Sequence, residues 1–414
     1  MRMHPAFIAL PVLVSAALIA GTPALAGTPG RPGPQPAAVS PASRVIDDVL
    51  NGDSCTTQPD NPAITSACIT VGFFADGPFV SGLMEASSNG TWGGNTFGGL
   101  GSVTDPFSVS CVPQPENIPV CVAVGEHYKN PAYPQQLVAT GGANGFSPVT
   151  FGDPKGDNWS VLNDVSCASA TFCMMVGSDG KARKTAHGVR YTTHASAYRW
   201  NGSARRQLKV PAPAHAKASQ LGGVSCPTAT SCMAVGIYTG PAGRTRPYSV
   251  LWTGGAWHLR TVRAISGKAT TVPEAVSCSA AATCTAVGEA VTKGRTAFAE
   301  RFAGGKWTVQ HIAAEARSGF FSVSCPSATA CVAVGQRGTR SLAEAWNGTR
   351  WAAQAVPQTG APRSTDALQH VSCITAAICT AAGYQHNPQV RYAYRTLAAG
   401  WNGSRWAIQK TFNQ

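Results

Sequence analysis

Short apolar runs alternate with polar turns along the chain. The clearest example is 320–357, FFSVSCPSATACVAVGQRGTRSLAEAWNGTRWAAQAVP. Within it, FSVSC and CVAVG are β-rich runs separated by the turn-forming PSATA. SLAEAW follows and meets Asn347-Gly348, a strong hairpin signal because both residues tolerate positive φ, and Trp351 opens a fourth run that stops at Pro357. The segment predicts four short antiparallel strands, labelled A to D in each unit.

The cysteines show that this unit recurs. They form seven successive pairs: Cys55/Cys68, Cys111/Cys121, Cys167/Cys173, Cys226/Cys232, Cys278/Cys284, Cys325/Cys331 and Cys373/Cys379. The first cysteines of neighbouring pairs are roughly fifty residues apart, a period typical of propellers and solenoids. Four strands per unit, seven units and no helical periodicity predict an all-β, seven-bladed β-propeller, because radial repetition leaves only short, protected sheet edges.

The chain is expected to contain three parts. Arg2 and His4 precede an apolar run that ends near Ala24-Leu25-Ala26, which predicts a secretory signal peptide over 1–26. A Pro/Gly-rich linker covers 27–43, and the propeller covers 44–414, with blades starting near 45, 103, 161, 221, 273, 320 and 368. We expect a secreted monomer whose blade 7 packs on blade 1, with exchange of a strand as the open alternative.

An even number of cysteines in an exported chain favours disulfides. One cysteine would end strand A and its partner would begin strand B, so each pair would lie across a hairpin at a separation that a disulfide accepts. Zinc thiolates are the alternative, but structural zinc sites bring four ligands together, and these pairs would be spread around a ring. We therefore expect one A-B disulfide per blade, with no metal and no cofactor.

Positive charge is concentrated in the predicted B-C loops. The chain carries 32 Lys and Arg against 19 Asp and Glu, a formal net charge of +13. In a propeller the B-C and D-A loops share one face, and the A-B and C-D turns share the other. The B-C loops hold these basic residues: Lys129, Lys181, Arg183, Lys184, Arg190, Arg244, Arg246, Lys293, Arg295, Arg337, Arg340 and Arg391. Their acidic residues are Asp76, Glu126, Asp179 and Glu289.

Arginine forks suit carboxylate, sulfate or phosphate groups, and a focused field concentrates such ligands. The sequence thus predicts a non-catalytic binding propeller for an anionic polysaccharide or cell-wall polymer. The candidate ligand-binding residues are Trp159, Arg183, Lys184, Arg190, Arg244, Arg246, Arg295, Arg337, Arg340 and Arg391. Trp159 is included because the other nine tryptophans recur in register with the C-D turns, which indicates packing. Nucleic acid is disfavoured, since base stacking requires aromatic residues among the arginines.

Two other functions stay open. Asp164, Glu274 and His370 would rim the central channel, with Glu126 and Glu289 nearby, and a carboxylate pair at a suitable separation could hydrolyse glycosides. The third function is a purely structural or protein-binding propeller. The sequence has no nucleophile elbow, H-E-x-x-H helix, P-loop or dinucleotide fingerprint, so we assign no catalytic residue.

The repeat VSCxSAxxCxAVG followed by AxxWNGxxW resembles tandem repeats of secreted actinobacterial propeller proteins, from about Val45 to the end of the chain. Its strand layout is similar to that of kelch-type propellers, and the turn from Asn347 to Trp351 resembles the Asp-box turn of the sialidase-like superfamily. The resemblance implies a propeller fold and export. A true Asp box and the early R-I-P motif of sialidases are absent, so the resemblance assigns no catalytic residue.

Overall fold

The computed structural model describes residues 47–57, 66–76, 79–96, 103–114, 119–128, 133–152, 154, 156–185, 188–260, 262, 270–313, 316–360, 363–387, 389 and 394–412. These residues form β-strands and turns without a helix, and so contain no apolar helix of membrane-spanning length. The predicted signal peptide and linker lie outside the described residues.

The strands follow one another in groups of four, which we call repeats 1 to 7. Repeats 1 and 2 contain β1 (Asp47–Thr56), β2 (Ala67–Asp76), β3 (Phe79–Ser88), β4 (Thr91–Thr96), β5 (Val103–Val112), β6 (Val120–Tyr128), β7 (Gln135–Gly142) and β8 (Gly145–Pro148). Repeats 3 and 4 contain β9 (Trp159–Ser169), β10 (Phe172–Thr185), β11 (Gly188–Trp200), β12 (Arg205–Leu208), β13 (Ala218–Thr228), β14 (Ser231–Thr239), β15 (Thr245–Thr253) and β16 (Ala256–Arg260).

The remaining strands belong to repeats 5 to 7. Repeat 5 contains β17 (Thr270–Ala280), β18 (Thr283–Val291), β19 (Arg295–Ala303) and β20 (Lys306–Gln310). Repeat 6 contains β21 (Ser318–Ser327), β22 (Ala330–Arg337), β23 (Arg340–Trp346) and β24 (Trp351–Gln354). Repeat 7 contains β25 (Thr365–Thr375), β26 (Ile378–His386), β27 (Tyr394–Trp401) and β28 (Trp406–Gln409).

Within each repeat, consecutive strands pair antiparallel. Repeats 3 to 7 form separate four-stranded sheets, whereas repeats 1 and 2 share an eight-stranded sheet through a parallel bridge between Val80 and Val103. The first strands contact one another in the order β1, β5, β9, β13, β17, β21 and β25, and β25 contacts β1. The repeats therefore form a closed ring, and the described residues exchange no strand between repeat 7 and repeat 1.

The hydrophobic core lies between neighbouring sheets. One cluster joins Val332 and Val334 of repeat 6 to Leu368 and Trp406 of repeat 7. Equivalent clusters join each of the other neighbouring pairs of repeats, including repeat 7 with repeat 1. The tryptophans of the C-D hairpins are buried, apart from the half-buried Trp401. Their recurrence therefore reflects packing between sheets.

The predicted disulfides are confirmed: all fourteen cysteines form seven bonds, each between strands A and B of one repeat. The Cα atoms of each pair are 3.9 to 4.1 Å apart. Each bond closes a single hairpin, so the disulfides do not link one repeat to the next. The cysteines do not terminate the strands as expected, because strands A and B continue for one or two residues beyond them.

The second cysteine of each pair has a role that the sequence analysis did not assign. It was expected only to hold a hairpin, but it is at most 2% exposed and belongs to the hydrophobic clusters between sheets. The residues concerned are Cys68, Cys121, Cys173, Cys232, Cys284, Cys331 and Cys379. Each lies on strand B, which is paired on both sides by strands A and C, so its side chain faces the neighbouring sheet. These cysteines therefore also act as small core residues.

A ring of hydrogen bonds joins the repeats through the serine that precedes each first cysteine. The backbone N–H of Cys111 donates to Oγ of Ser54 in the preceding repeat, at 2.9 Å. The same bond, also at 2.9 Å, joins Cys167 to Ser110, Cys226 to Ser166, Cys278 to Ser225, Cys325 to Ser277, Cys373 to Ser324 and Cys55 to Ser372. The repeated Ser-Cys dipeptide therefore stabilises both the hairpin and the ring.

A β-bulge interrupts each first strand at the same place. In β1, Leu50 pairs with Gly72 and Gly52 pairs with Val71, so Asn51 is left unpaired. The equivalent residues are Phe107, Asn163, Gly222, Glu274, Phe321 and Gln369. We call these seven the bulge residues. A bulge bends its strand and re-aims a side chain.

The glycine four residues after each second cysteine makes this bulge possible. A Cβ on Gly72 would lie 1.9 Å from the carbonyl oxygen of Val49, and one on Gly236 would lie 2.0 Å from that of Gln220. The glycines with equivalent contacts are Gly125, Gly177, Gly288, Gly335 and Gly383. Close approach of two backbones requires glycine here.

The Asn-Gly turns differ from the expectation in one respect. Only Gly348 has a positive φ, of 94°, in the turn that follows strand C of repeat 6. Asn347 instead uses its side-chain oxygen to accept hydrogen bonds from the backbone N–H groups of Thr349 and Arg350, at 3.1 and 3.0 Å. Positive φ at both residues occurs in the Asn89-Gly90 turn, with values of 49° and 85°. Asparagine thus supports these turns in two physically different ways.

Candidate functional site

The seven bulge residues line one cavity in the central channel, which contains ≈ 750 Å³ of empty space with the open solvent at its mouth included. The remaining lining residues are Phe73, Asp105, Ser108, Asp164, Ala275 and His370. Asp164, Glu274 and His370, which the sequence analysis placed at the channel rim, therefore share one cavity. We call it the channel cavity.

Asp164 is fully engaged in holding the ring together. Its Oδ1 accepts hydrogen bonds from the hydroxyl of Ser108 at 2.6 Å and from the backbone N–H of Val165 at 2.8 Å. Its Oδ2 accepts a hydrogen bond from the N–H of Val224 at 2.7 Å. These contacts join repeats 2, 3 and 4. Burial raises the pKa of Asp164 to about 6, although the hydrogen bonds oppose that effect.

Glu274 has a different environment. Its side chain is buried, and Oε2 has no hydrogen-bond partner among the described residues. Burial, and to a smaller extent the charge of Glu289, raise the pKa of Glu274 to about 8, and the charge of Arg295 opposes this rise. A carboxyl group that is buried without hydrogen bonds disfavours its charged form. Glu274 is therefore mainly protonated at pH 7 in the free protein.

Two residues that line the channel cavity also carry a buried acceptor without a hydrogen-bond partner in the part of the chain that the structure describes. The two atoms are Oε1 of Gln369 and Nδ1 of His370. Burial lowers the pKa of His370 to about 4, so its ring is neutral at pH 7, and it makes a hydrogen bond to the backbone of Asp53. The Nδ1 atom is then available as an acceptor.

Most of the bulge residues were missed by the sequence analysis, which singled out only Glu274 among them. The signal that could have found them is their fixed position, four residues before the first cysteine of each pair. Nothing in the alternation of apolar and polar residues marks this position, because a bulge shifts the register of the strand by one residue.

The second candidate site is the surface formed by the B-C loops, which we call the basic loop face. Its described arginines are Arg183, Arg190, Arg244, Arg246, Arg295, Arg337 and Arg340. In repeat 3, β10 and β11 form a long hairpin on which Arg183 lies directly opposite Arg190, and both side chains are exposed. Lys184 lies on the same hairpin, with its backbone opposite Val189, but its side chain is outside the described part of the structure. Arg391 also lies outside the described residues. In repeat 6, Arg337 lies opposite Arg340.

A groove between repeats 5 and 6 brings further arginines together. It is lined by Glu289, Arg295, Arg317, Ser318, Gly319, Phe321, Gln336 and Gly338. Nε of Arg295 lies 3.5 Å from Oε2 of Glu289, and the N–H of Arg317 donates to the carbonyl of Arg295 at 2.7 Å. Arg317 was missed by the sequence analysis because it lies in a D-A loop. It adopts a positive φ of 65°, which is uncommon for a residue other than glycine.

The other predicted ligand-binding residues lie apart from the groove and from the channel cavity. Arg244 and Arg246 are exposed in repeat 4 and line neither the groove nor the channel cavity. Trp159 is buried at the start of β9, and its ring makes an edge-to-face contact with Tyr191, with centroids 5.6 Å apart. Because side chains alternate along a strand, Tyr191 lies on the opposite face of the hairpin from Arg190. Trp159 therefore packs beneath the hairpin that carries Arg183 and Arg190.

Two groups in the described residues have the composition of metal ligands. Asp157, Asp179 and His194 offer ligand atoms within 4.8 Å of one another, and Nε2 of His194 lies 3.3 Å from Oδ2 of Asp157. Asp179 already accepts hydrogen bonds from Gln136 and Tyr198. The second group combines Asp53 with two cysteines that are joined in a disulfide and are therefore not thiolate ligands.

No family model and no curated protein matches the chain. Among solved structures, the chain is similar to the β-propeller domain of the Trilobed protease from Pyrococcus furiosus, with 10% identity, a TM-score of 0.50 and coverage of 88% of this chain and 98% of that one. This likeness concerns the fold alone.

Two other solved structures show weaker likeness. One is a protein of unknown function from Dyadobacter fermentans, with 11% identity, a TM-score of 0.48 and coverage of 86% of this chain and 95% of that one. The other is Trypanosoma rangeli sialidase in complex with the inhibitor DANA, with 9% identity, a TM-score of 0.42 and coverage of 84% of this chain and 54% of that one. The chain has a β-propeller fold built from repeated four-stranded antiparallel sheets.

Proposed function

We propose that the protein is a non-catalytic binding propeller whose basic loop face holds an anionic polysaccharide or cell-wall polymer. The observation that carries this proposal is the cross-strand pair of Arg183 and Arg190. Like charges directly opposite each other on a β-hairpin destabilise it. Both arginine side chains are nevertheless exposed on this hairpin. An anion bound between the two guanidinium groups would be attracted to both and would offset their mutual repulsion.

The residues around Arg183 and Arg190 also support the binding of an anion. Among the described residues, neither arginine forms an ion pair. Lys181 is exposed two residues before Arg183, on the same face of the hairpin. Arginine forks bind carboxylate or sulfate groups through paired hydrogen bonds, and several such groups along a polymer would add their contributions. The pair formed by Arg337 and Arg340 extends the basic face to repeat 6.

We further propose that the ring has seven blades, one for each repeat. The cyclic order of contacts between first strands and the presence of one disulfide per repeat support this number. The proposed extracellular location is supported by the disulfides, which persist in oxidising compartments, and by the signal-peptide pattern of 1–26. The resemblance to secreted actinobacterial repeat proteins belongs to the same proposal.

A glycan-active hydrolase is the second candidate, because Asp164, Glu274 and His370 share the channel cavity. Two observations make it the weaker one. Both oxygens of Asp164 already accept hydrogen bonds. No arginine is among the described residues that line the channel cavity, although Arg295 lies close enough to Glu274 to oppose the rise of its pKa.

The test is retention of the protein without its predicted signal peptide, 27–414, on immobilised heparin and on bacterial cell walls at low and high salt. We expect salt-sensitive retention that Arg183→Glu with Arg190→Glu abolishes. The matched control is Arg350→Glu with Arg405→Glu, which makes the same change in net charge on C-D turns of the opposite face. Equal loss in both variants would contradict a specific basic face. Release of sugar into the supernatant would favour the hydrolase.

A further inference from the structure

The channel cavity contains buried acceptors that the basic loop face does not explain. Oε2 of Glu274, Oε1 of Gln369 and Nδ1 of His370 are buried and have no hydrogen-bond partner in the described part of the chain. The side chains of Glu274 and Gln369 are only 9% and 7% exposed. Leaving such groups unsatisfied is costly, so these atoms are suited to a ligand that supplies hydrogen-bond donors.

The titratable side chains that line the cavity are acidic or neutral, whereas the protein as a whole is basic. Three acidic residues, Asp105, Asp164 and Glu274, line the cavity, and no lysine or arginine is among its described lining residues. The chain nevertheless has a formal net charge of +13. A lining that contains carboxyl groups and no lysine or arginine among its described residues disfavours anions. The ligand of this cavity is therefore chemically different from that of the basic loop face.

Space and apolar surface are available beside Glu274. Going round the ring of bulge residues, Glu274 lies between Gly222, which has no side chain, and Phe321. Phe107 and Phe73 also line the cavity. The faces of aromatic rings attract cations, most strongly where water is excluded. The cavity thus combines an acidic group, aromatic walls and a gap next to the acid.

We propose that the channel cavity binds a small organic ammonium ion with an apolar body, with Glu274 pairing with the ammonium group and Phe107 and Phe321 contacting the apolar part. The N–H groups of an ammonium ion would donate to the carboxylate and to the neighbouring acceptors. This inference goes beyond the proposed function and rests on different residues.

Binding would also displace a proton. An ammonium ion beside Glu274 favours its ionised form, whereas the free protein keeps the group protonated at pH 7. The other ionisable groups around it are Glu289 on β18 and Arg295 on β19, together with Asp105, Asp164 and His370 in the cavity lining. Proton release on binding thus reports pairing at Glu274, which general apolar binding would not produce.

The experiment is isothermal titration calorimetry of 27–414 at pH 7 with three probes of similar shape: 2-phenylethylamine, 2-phenylethanol and phenylacetate. We expect the amine to bind at least about tenfold more tightly than the alcohol, which corresponds to the removal of one charged contact. Phenylacetate should bind most weakly. Repeating the amine titration in buffers with different ionisation enthalpies should show proton release.

Variants locate the site. Glu274→Gln keeps the shape of the side chain and should reduce amine affinity at least about tenfold while leaving the alcohol unchanged. The matched control is Glu300→Gln, which alters another buried glutamate of repeat 5 that does not line the cavity. Gly222→Val should weaken both probes by filling the gap. Thermal unfolding of each variant shows whether it is folded.

Three results would overturn the proposal. They are equal binding of the amine and the alcohol, absence of binding of every probe, and amine binding that Glu274→Gln does not change. None of these results affects the test of the basic loop face, which uses other residues and anionic polymers.

Discussion

The backbone N–H of Cys55 donates a hydrogen bond to Oγ of Ser372 at 2.9 Å, although 317 positions separate the two residues. This is the bond of the serine ring that joins repeat 7 to repeat 1. The described residues exchange no strand at this junction, because β1 pairs with β2 and β28 pairs with β27. Closure therefore depends on side-chain packing and on contacts such as this one.

Ser372→Ala tests that dependence. The change leaves the amide of Cys55 without its acceptor, so we expect a loss of about 1 to 2 kcal/mol in the free energy of unfolding. Hydrogen exchange should also become faster in β1 and β25. Ser225→Ala is the control, because it removes the equivalent bond to Cys278 inside the ring. Similar exchange changes at β1 in both variants would contradict a special role of Ser372 in closure.

Gly236→Ala tests the relation between the repeated glycine and the bulge. The added Cβ would lie 2.0 Å from the carbonyl oxygen of Gln220, which is backbone and has little room to move. We expect destabilisation of at least about 2 kcal/mol, measured by urea unfolding. A Cβ on Gly294 would meet nothing within 4 Å, so Gly294→Ala should leave stability almost unchanged. Comparable stability of the two variants would show that the bulge can relax.

Glu274 should make the stability of the protein depend on pH. Its pKa is about 8 in the folded chain, against an ordinary value of 4.5 for a glutamate. Between these values the folded state holds more protons than the unfolded state, so raising the pH lowers the free energy of unfolding. The effect of this one group is on the order of a few kcal/mol, fully developed above pH 8.

Urea unfolding of the wild type and Glu274→Gln at pH 4, 6 and 8 measures this effect. The variant should gain stability relative to the wild type as the pH rises, because glutamine does not ionise. Asp48, Glu85 and Glu126 also have raised pKa values, of about 6, 7 and 7, so the variant should keep part of the pH dependence. A stability difference that does not change with pH would contradict an ionisable, unpartnered Glu274.

Removal of a single disulfide should loosen one hairpin and leave the ring closed. Cys226→Ala with Cys232→Ala opens a loop between residues six positions apart, which costs roughly 2 to 2.5 kcal/mol on the chain-entropy model. Alanine keeps a small apolar side chain at the buried position of Cys232, so faster hydrogen exchange should be confined to β13 and β14. The radius of gyration from small-angle scattering should stay constant, and an expanded molecule would show that ring closure depends on the disulfide.

The sequence predicted the features that depend on local spacing. Alternation of apolar and polar residues predicts the four strands of 320–357, and the cysteine pairs predict the disulfides because both cysteines of a pair lie at one hairpin. The polar residues Asp164, Glu274 and His370 were assigned to the channel rim because they would lie just ahead of strand A. They do line the channel cavity, but they lie within β9, β17 and β25, which begin earlier than expected. Each of these predictions depends on neighbours within one repeat.

Features that depend on exact register or on packing between repeats were missed. The opposition of Arg183 and Arg190 follows from the length of the hairpin, which sequence does not specify. The bulge that aims Phe107 and Gln369 into the channel is set by a backbone contact with a glycine on another strand. Arg317 joins the groove through a loop conformation with positive φ. These relationships exist only after the strands have paired.

The bulges have a consequence for how this protein can diverge. Each bulge has a glycine opposite it and a Ser-Cys pair after it, whereas its side chain varies, being Asn, Phe, Asn, Gly, Glu, Phe and Gln in turn round the ring. The two asparagines, Asn51 and Asn163, donate hydrogen bonds to the carbonyl oxygens of Pro106 and Leu221 in the next repeat. Asn51 and Asn163 therefore serve both the channel lining and the contacts between repeats, and the other five bulge positions vary more freely. We expect single substitutions at these five positions to change the channel lining while the architecture stays the same, which makes them suitable positions for redesign.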